Sequence, residues 1–139
     1  MSSKALWKIN KIVLPQHSDH AGVMWHGAYF NLLEESRIHA LSEVGIDYLE
    51  LTQKGFDLPL INISVKYISP LYLGEKITIE SMFDIGKSPK IIVSTKFLNK
   101  KNDVSTIAEV SLVLINKNNF TIIRNRPDFL KKAFIDLNG

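Results

Sequence analysis

The chain contains no cysteine. This excludes a disulfide scaffold, a thiolate zinc site and a thiol nucleophile, so any chemistry falls to hydroxyls, histidines and carboxylates. It also favours a cytosol-like compartment. Long apolar runs are missing as well: no stretch approaches the about 18 consecutive apolar residues of a membrane span. The opening segment, MSSKALWKINKIVL, alternates apolar and basic residues and lacks the apolar core of a signal peptide. The expectation is a soluble, cytoplasmic protein without a membrane partner. Neither G-x-G-x-x-G nor G-x-x-x-x-G-K occurs, which removes the dinucleotide and nucleotide-phosphate loops. Charge of one sign is not in great excess: Lys+Arg 17 against Asp+Glu 14 gives +3. That suits an anionic small molecule as well as a nucleic acid. A nucleic-acid surface would interleave aromatic and basic residues, and between Lys87 and Lys101 the sole aromatic residue is Phe97, so a nucleic-acid partner is not expected.

What is present fits one compact unit. At 139 residues the chain is long enough for a sizeable core and too short for two ordinary domains, so residues 1–139 are read as a single domain. Hydrophobic residues at 45% and charged residues at 22% match a globular protein and argue against disorder.

Periodicity supplies the elements. Ala5 to Leu14 reads as a strand stopped by Pro15. From Tyr29 to Val44 the spacing of Phe30, Leu33, Leu41 and Val44 is helical, and Gly45 marks its end. A shorter helical piece covers Asp47 to Lys54. The period then becomes two over Pro59–Tyr67, Lys76–Ile85, Lys90–Asn99 and Val104–Asn116, which predicts four long strands. Phe120 to Ile123 is suited to a brief pairing, and Pro127 starts a terminal helix. The short turns between the strands require antiparallel pairing, so the fold class is α+β, an antiparallel sheet with one long helix on one face.

The densest group of titratable side chains is His17-Ser18-Asp19-His20-Ala21-Gly22-Val23-Met24-Trp25-His26, three histidines and a carboxylate within ten residues. It lies between the first strand and the start of the long helix. Three readings compete. Asp19 can be a turn residue among solvated histidines; His17, Asp19, His20 and His26 can bind a metal, although their spacing matches no known ligand pattern; or Asp19 can be a base or nucleophile beside the free N–H groups of a helix start, with His26 nearby.

The string Asp19-His20-Ala21-Gly22-Val23-Met24-Trp25-His26-Gly27-Ala28-Tyr29-Phe30, followed by Leu33-Glu34-Glu35-Ser36-Arg37, resembles the signature of hotdog-fold acyl-CoA thioesterases of the 4-hydroxybenzoyl-CoA thioesterase type. The order of elements matches over nearly the whole chain, including Leu58-Pro59-Leu60 and the turn from Ser69-Pro70 to Gly74. The resemblance implies a hotdog fold, with the sheet wrapped around the long helix, and assembly as a homodimer or homotetramer with sites between subunits. It makes Asp19 the catalytic carboxylate, either attacking the thioester carbonyl or activating a water, His26 a catalytic or positioning histidine and Glu34 a secondary catalytic candidate. Trp25, Gly27, Tyr29 and Leu60 are expected at the substrate, and Lys87, Ser88 and Lys90 at the phosphates of coenzyme A. The family often carries a second Asp two residues before the catalytic one. Here that position is His17, which either tunes Asp19 or sits at the surface. Arg37 and His39 are expected to be structural or solvated, and Arg124 and Arg126 form a second basic candidate unsupported by the motif.

The function implied is hydrolysis of an acyl- or aroyl-CoA thioester to the free acid and coenzyme A, with no metal site and no metal or redox cofactor. An acyl carrier protein thioester is an alternative substrate. A hotdog dehydratase and a non-catalytic acyl-CoA-binding module are alternatives for the protein.

Overall fold

A computed structural model describes residues 4–139; the first three residues of the expected domain lie outside it. Along the chain run β1 (Trp7–Ile12), a single 3-10 turn (Pro15–His17), α1 (His26–Glu43), α2 (Tyr48–Gln53), β2 (Phe56–Asp57), β3 (Leu60–Tyr67), β4 (Lys76–Ile85), β5 (Lys90–Leu98), β6 (Val104–Val113), β7 (Ile115–Asn116), β8 (Thr121–Ile122) and α3 (Asp128–Asn138). Five strands form one antiparallel sheet in the order β1-β4-β5-β6-β3. The short strands β2, β7 and β8 form a second sheet of three.

Alternation along the strands decides which face is dry. In β4, Ile77, Ile79, Ser81 and Phe83 are buried, and in β5 Ile91, Val93, Thr95 and Phe97 are buried. Their intervening neighbours are more exposed. α1 lies on this dry face and buries Ala28, Tyr29, Leu32, Leu33, Ser36, Ala40 and Leu41, a stripe with helical spacing. Burying each large apolar side chain stabilises the fold by about 1.5–3 kcal/mol. A thread of hydroxyls crosses this core, with Ser36 Oγ 3.1 Å from Ser81 Oγ and Ser81 Oγ 2.9 Å from Thr95 Oγ1. Each of these buried polar groups is thereby satisfied. One long helix wrapped by one antiparallel sheet is the hotdog arrangement.

Three sequence expectations shift. α1 begins at His26 rather than Tyr29, because Trp25 takes an extended conformation as N-cap and its carbonyl already accepts the Ala28 N–H at 3.0 Å. Phe30 leaves the core stripe and is 46% exposed. The strand expected over Val104–Asn116 breaks after Val113: Val113, Leu114 and Ile115 are all buried, alternation is lost, and β7 departs to pair with β2 and β8.

The register separates the two ends of the main sheet. At one end lie Ile12 opposite Lys76, Thr78 opposite Leu98, and Tyr67 opposite Thr106. At the other lie Leu60 opposite Leu112, Ile85 opposite Ile91, and Lys90 opposite Val113. α1 starts at the first end, where Tyr29 and His26 meet Tyr67.

Candidate active site

The loop from Ser18 to Met24 is a small hairpin. Ser18 bridges Met24, the Asp19 N–H donates to the Val23 carbonyl at 2.9 Å, and Val23 bridges Tyr72. Asp19 fastens it from within: its Oδ1 accepts the Ala21 N–H at 2.9 Å and the Val23 N–H at 3.3 Å. Gly22 sits at φ +78°, a left-handed conformation that a side chain would strain, and its N–H returns to the Asp19 carbonyl. Asp19 is therefore a turn residue. It is also an exposed carboxylate with one oxygen to spare, since among the described residues Oδ2 has no partner.

Asp19 opens onto a cleft of about 340 Å³ lined by Trp25, His26, Tyr29, Tyr67 and Ser69. His26 is the first residue of α1, and its ring stands edge-on to Tyr67 at 5.3 Å between centroids. Tyr29 forms the inner wall, 2% exposed and packed on Tyr67 and Phe97. Burial raises the Tyr29 phenol above its ordinary pKa, and the neighbouring Thr106 hydroxyl opposes that shift. Among the described residues Thr106 Oγ1 has no partner at hydrogen-bonding geometry, so the two hydroxyls do not form a well-made hydrogen bond.

The backbone donors at the helix start divide clearly. The Trp25 N–H is taken by the His17 carbonyl at 3.0 Å, and the Met24 N–H by the Leu71 carbonyl at 2.8 Å. His26 and Gly27 occupy the first helical positions, where an N–H has no intrahelical acceptor, so these are the N–H groups that the helix start leaves available. Gly27 lies under the Trp25 indole, and a Cβ there would fall 2.1 Å from the ring.

His17 is buried, and its Nδ1 accepts the Leu14 N–H at 3.0 Å. It caps the 3-10 turn that carries the Asp19 loop rather than facing solvent. Among the described residues no three or more His, Asp or Glu side chains converge to hold a metal ion.

The remaining expected residues lie elsewhere in the chain. Glu34 and Leu60 share a groove of about 280 Å³ with Phe30, Leu33, Arg37 and Ile63, further along the seam between α1 and β3. Glu34 makes no ion pair with Arg37; Glu35 pairs with Lys11 at 2.8 Å. Burial lowers the Arg37 pKa, and the nearby Glu34 carboxylate opposes that shift. Lys87, Ser88 and Lys90 sit on the turn between β4 and β5, at the opposite end of the sheet from Asp19. One chain therefore assembles Asp19, Trp25, His26, Gly27 and Tyr29 and leaves Glu34, Leu60 and the lysine turn apart. A larger groove of about 720 Å³, between Asn10, Lys76 and Lys100, has no histidine or carboxylate in its lining.

Tyr67 and Ser69 are cleft residues that periodicity placed only in a strand and a turn. The Ser69-Pro70 turn was the available signal, because it follows the strand that ends beside the helix start.

One antiparallel sheet wrapped around one long helix is a hotdog fold, and comparison with known proteins places the chain among thioester hydrolases. Residues 13–134 match the thioesterase-like superfamily, and the chain belongs to it. The chain is 28% identical over 126 residues to the Synechocystis protein sll0410, provisionally named an esterase, covering 90% of this chain and 76% of that protein. It is 24% identical over 119 residues to YneP of Bacillus subtilis, provisionally named an acyl-CoA thioesterase, covering 86% and 83%. Among solved structures, Slr0204 of Synechocystis, a 1,4-dihydroxy-2-naphthoyl-CoA thioesterase, superposes with a TM-score of 0.87 at 17% identity, covering 96% of this chain and 98% of that one. Among the described residues no helix is long and apolar enough to cross a membrane.

Proposed function

We propose that this protein hydrolyses an acyl- or aroyl-CoA thioester, as the resemblance to the 4-hydroxybenzoyl-CoA thioesterase type suggests, with Asp19 as general base. The observation that carries this reading is the asymmetric use of the Asp19 carboxylate: Oδ1 is fixed by two backbone N–H groups, Oδ2 has no partner among the described residues, and Asp19 lines the cleft. Oδ2 takes a proton from a water molecule, and the resulting hydroxide oxygen bonds to the thioester carbonyl carbon. The carbonyl oxygen becomes an oxyanion beside the His26 and Gly27 N–H groups. Its collapse breaks the C–S bond, and the departing thiolate recovers the proton held by Asp19. A thiolate is a stable leaving group, so no stronger acid is required.

The same reading makes the protein a homodimer joined through β3. No residue of β3 is buried, and among the described residues its outer edge is unpaired. Leu60, Ile61 and Tyr67 on it are 42%, 54% and 43% exposed. A long exposed apolar edge is a template for pairing with another strand. Antiparallel pairing about a two-fold axis sets the Leu60 end of one copy against the Tyr67 end of the other. That brings the groove of Glu34 and Leu60, and the turn of Lys87, Ser88 and Lys90, toward the partner's Asp19 cleft. The names of similar structures, which include 1,4-dihydroxy-2-naphthoyl-CoA and gentisyl-CoA thioesterases, support a coenzyme A thioester with an aromatic acyl group.

The test is a thiol-release assay across benzoyl, hydroxybenzoyl, dihydroxynaphthoyl, short-chain and long-chain acyl-CoA, with an acyl carrier protein thioester as a separate arm. Release from at least one acyl-CoA is expected. No release from any of them, or release from the carrier-protein arm alone, contradicts the proposal.

A further inference from the structure

Arg126 follows β8 and lies far in sequence from the turn between β4 and β5, yet it clamps that turn. Its Nη1 donates to the Gly86 carbonyl at 2.8 Å and its Nη2 to the Ser88 carbonyl at 2.8 Å. The guanidinium stands 5.4 Å from the centre of the Phe134 ring, so α3 backs it from behind. Within the turn, Ser88 Oγ accepts the Lys90 N–H at 3.2 Å. Gly86, Lys87 and Ser88 are exposed, and among the described residues neither the Lys87 nor the Lys90 ammonium has an ion-pair partner.

A turn of this composition, left to itself, samples many arrangements of its two lysines. The two-pronged guanidinium fixes two carbonyls two residues apart, which sets the turn's backbone in a single conformation. It also commits carbonyl lone pairs that would otherwise repel an approaching anion. The cationic tip is then ordered before any ligand arrives, and a ligand that binds there does not bear the ordering cost.

We infer that Arg126 is a positioning residue for the phosphate-bearing end of the thioester, acting through the Gly86–Lys90 turn rather than by touching the substrate. This rests on the reading that Lys87, Ser88 and Lys90 meet the coenzyme A phosphates. It adds a residue that the motif did not support and that the sequence placed with Arg124 only as a basic pair.

The experiment measures equilibrium binding of coenzyme A and of pantetheine, which lacks the phosphates, to the full-length protein and to Arg126→Met, Arg126→Lys, Lys87→Ala and the Lys87→Ala/Arg126→Met double variant. Loss of a charge-assisted positioning contact predicts coenzyme A binding weakened about tenfold in Arg126→Met, with pantetheine unchanged. Arg126→Lys does not restore it, because an ammonium cannot hold both carbonyls in the fork geometry. The double variant loses less than the sum of the single losses, since both act on one turn. Weakening of both ligands alike, additive losses, or a wild type that does not prefer coenzyme A to pantetheine overturns the inference. These readouts need no turnover. A wild type that shows the binding pattern and releases no thiol removes the hydrolase reading and leaves Arg126 in place.

Discussion

The Trp25 indole rests on Gly27, so closely that a Cβ on Gly27 would lie 2.1 Å from the ring. The absence of a side chain at the second helical position is therefore what lets an aromatic wall stand beside the helix start. Because Trp25 is 46% exposed, its ring has room to swing outward if displaced.

Gly27→Ala is accordingly predicted to fold but to shift the Trp25 ring off the cleft, lowering thiol release about tenfold through misplaced substrate contacts. The steric origin is checked in a Trp25→Ala background. There Gly27→Ala no longer meets a ring, and the better helix former raises stability by up to about 1 kcal/mol. Thermal unfolding of the four proteins reads this directly. A Gly27→Ala cost that persists without Trp25 would assign the glycine to some other contact.

Tyr48 donates its hydroxyl to Asp57 Oδ1 and ties α2 to β2. Burial first, and then this hydrogen bond, push its phenol up to about 12. The unfolded value is about 10, so the folded state holds the proton more tightly. The stabilisation is complete below about pH 10 and disappears as pH rises through about 12. Tyr48 is half-exposed, which screens the effect. Tyr48→Phe is expected to cost about 1 kcal/mol at neutral pH and to flatten the alkaline decline. Denaturant unfolding of both proteins between about pH 8 and pH 12 measures it, and identical alkaline slopes would refute the assignment.

Ile61→Lys combined with Ile63→Lys places two charges on the β3 edge, a device that blocks strand pairing. Analytical ultracentrifugation is predicted to show a dimer for the wild type and a monomer for the variant, with thiol release lost together with the dimer. A monomeric variant that retains full activity would mean that one chain holds the complete site.

Much of the fold was readable because hydrophobic period reports which face is dry. The strand from Lys76 to Ile85 emerged with its bounds intact, since β4 alternates without interruption. The helical stripe holds at Leu33 and Leu41 and fails at Phe30, which satisfies helical spacing yet faces the β3 seam, because only tertiary packing distinguishes a core stripe from an adjoining apolar row. β2, two residues long, left no periodic trace, because it exists through its pairing with Ile115 and Asn116. Asp19 stands out in the motif, whereas the fastening of its Oδ1 depends on where the Ala21 and Val23 N–H groups point. The burial of His17 was not legible either, because a histidine capping a 3-10 turn looks the same in sequence as one on a surface loop. The link from Arg126 to Gly86 spans 40 positions and no local pattern announces it.

In the proposed mechanism Asp19 Oδ2 performs the chemistry while Oδ1 holds the loop. Asp19→Asn separates the two, because an amide oxygen still accepts the Ala21 and Val23 N–H groups but no longer acts as a base. The decisive measurement is single-turnover thiol release by wild type and Asp19→Asn on the best acyl-CoA substrate, with melting temperatures taken alongside. Loss of the base is expected to slow Asp19→Asn by about 10²–10⁴-fold with the melting temperature essentially unchanged. An Asp19→Asn protein that is equally stable and within about twofold of the wild-type rate would contradict it.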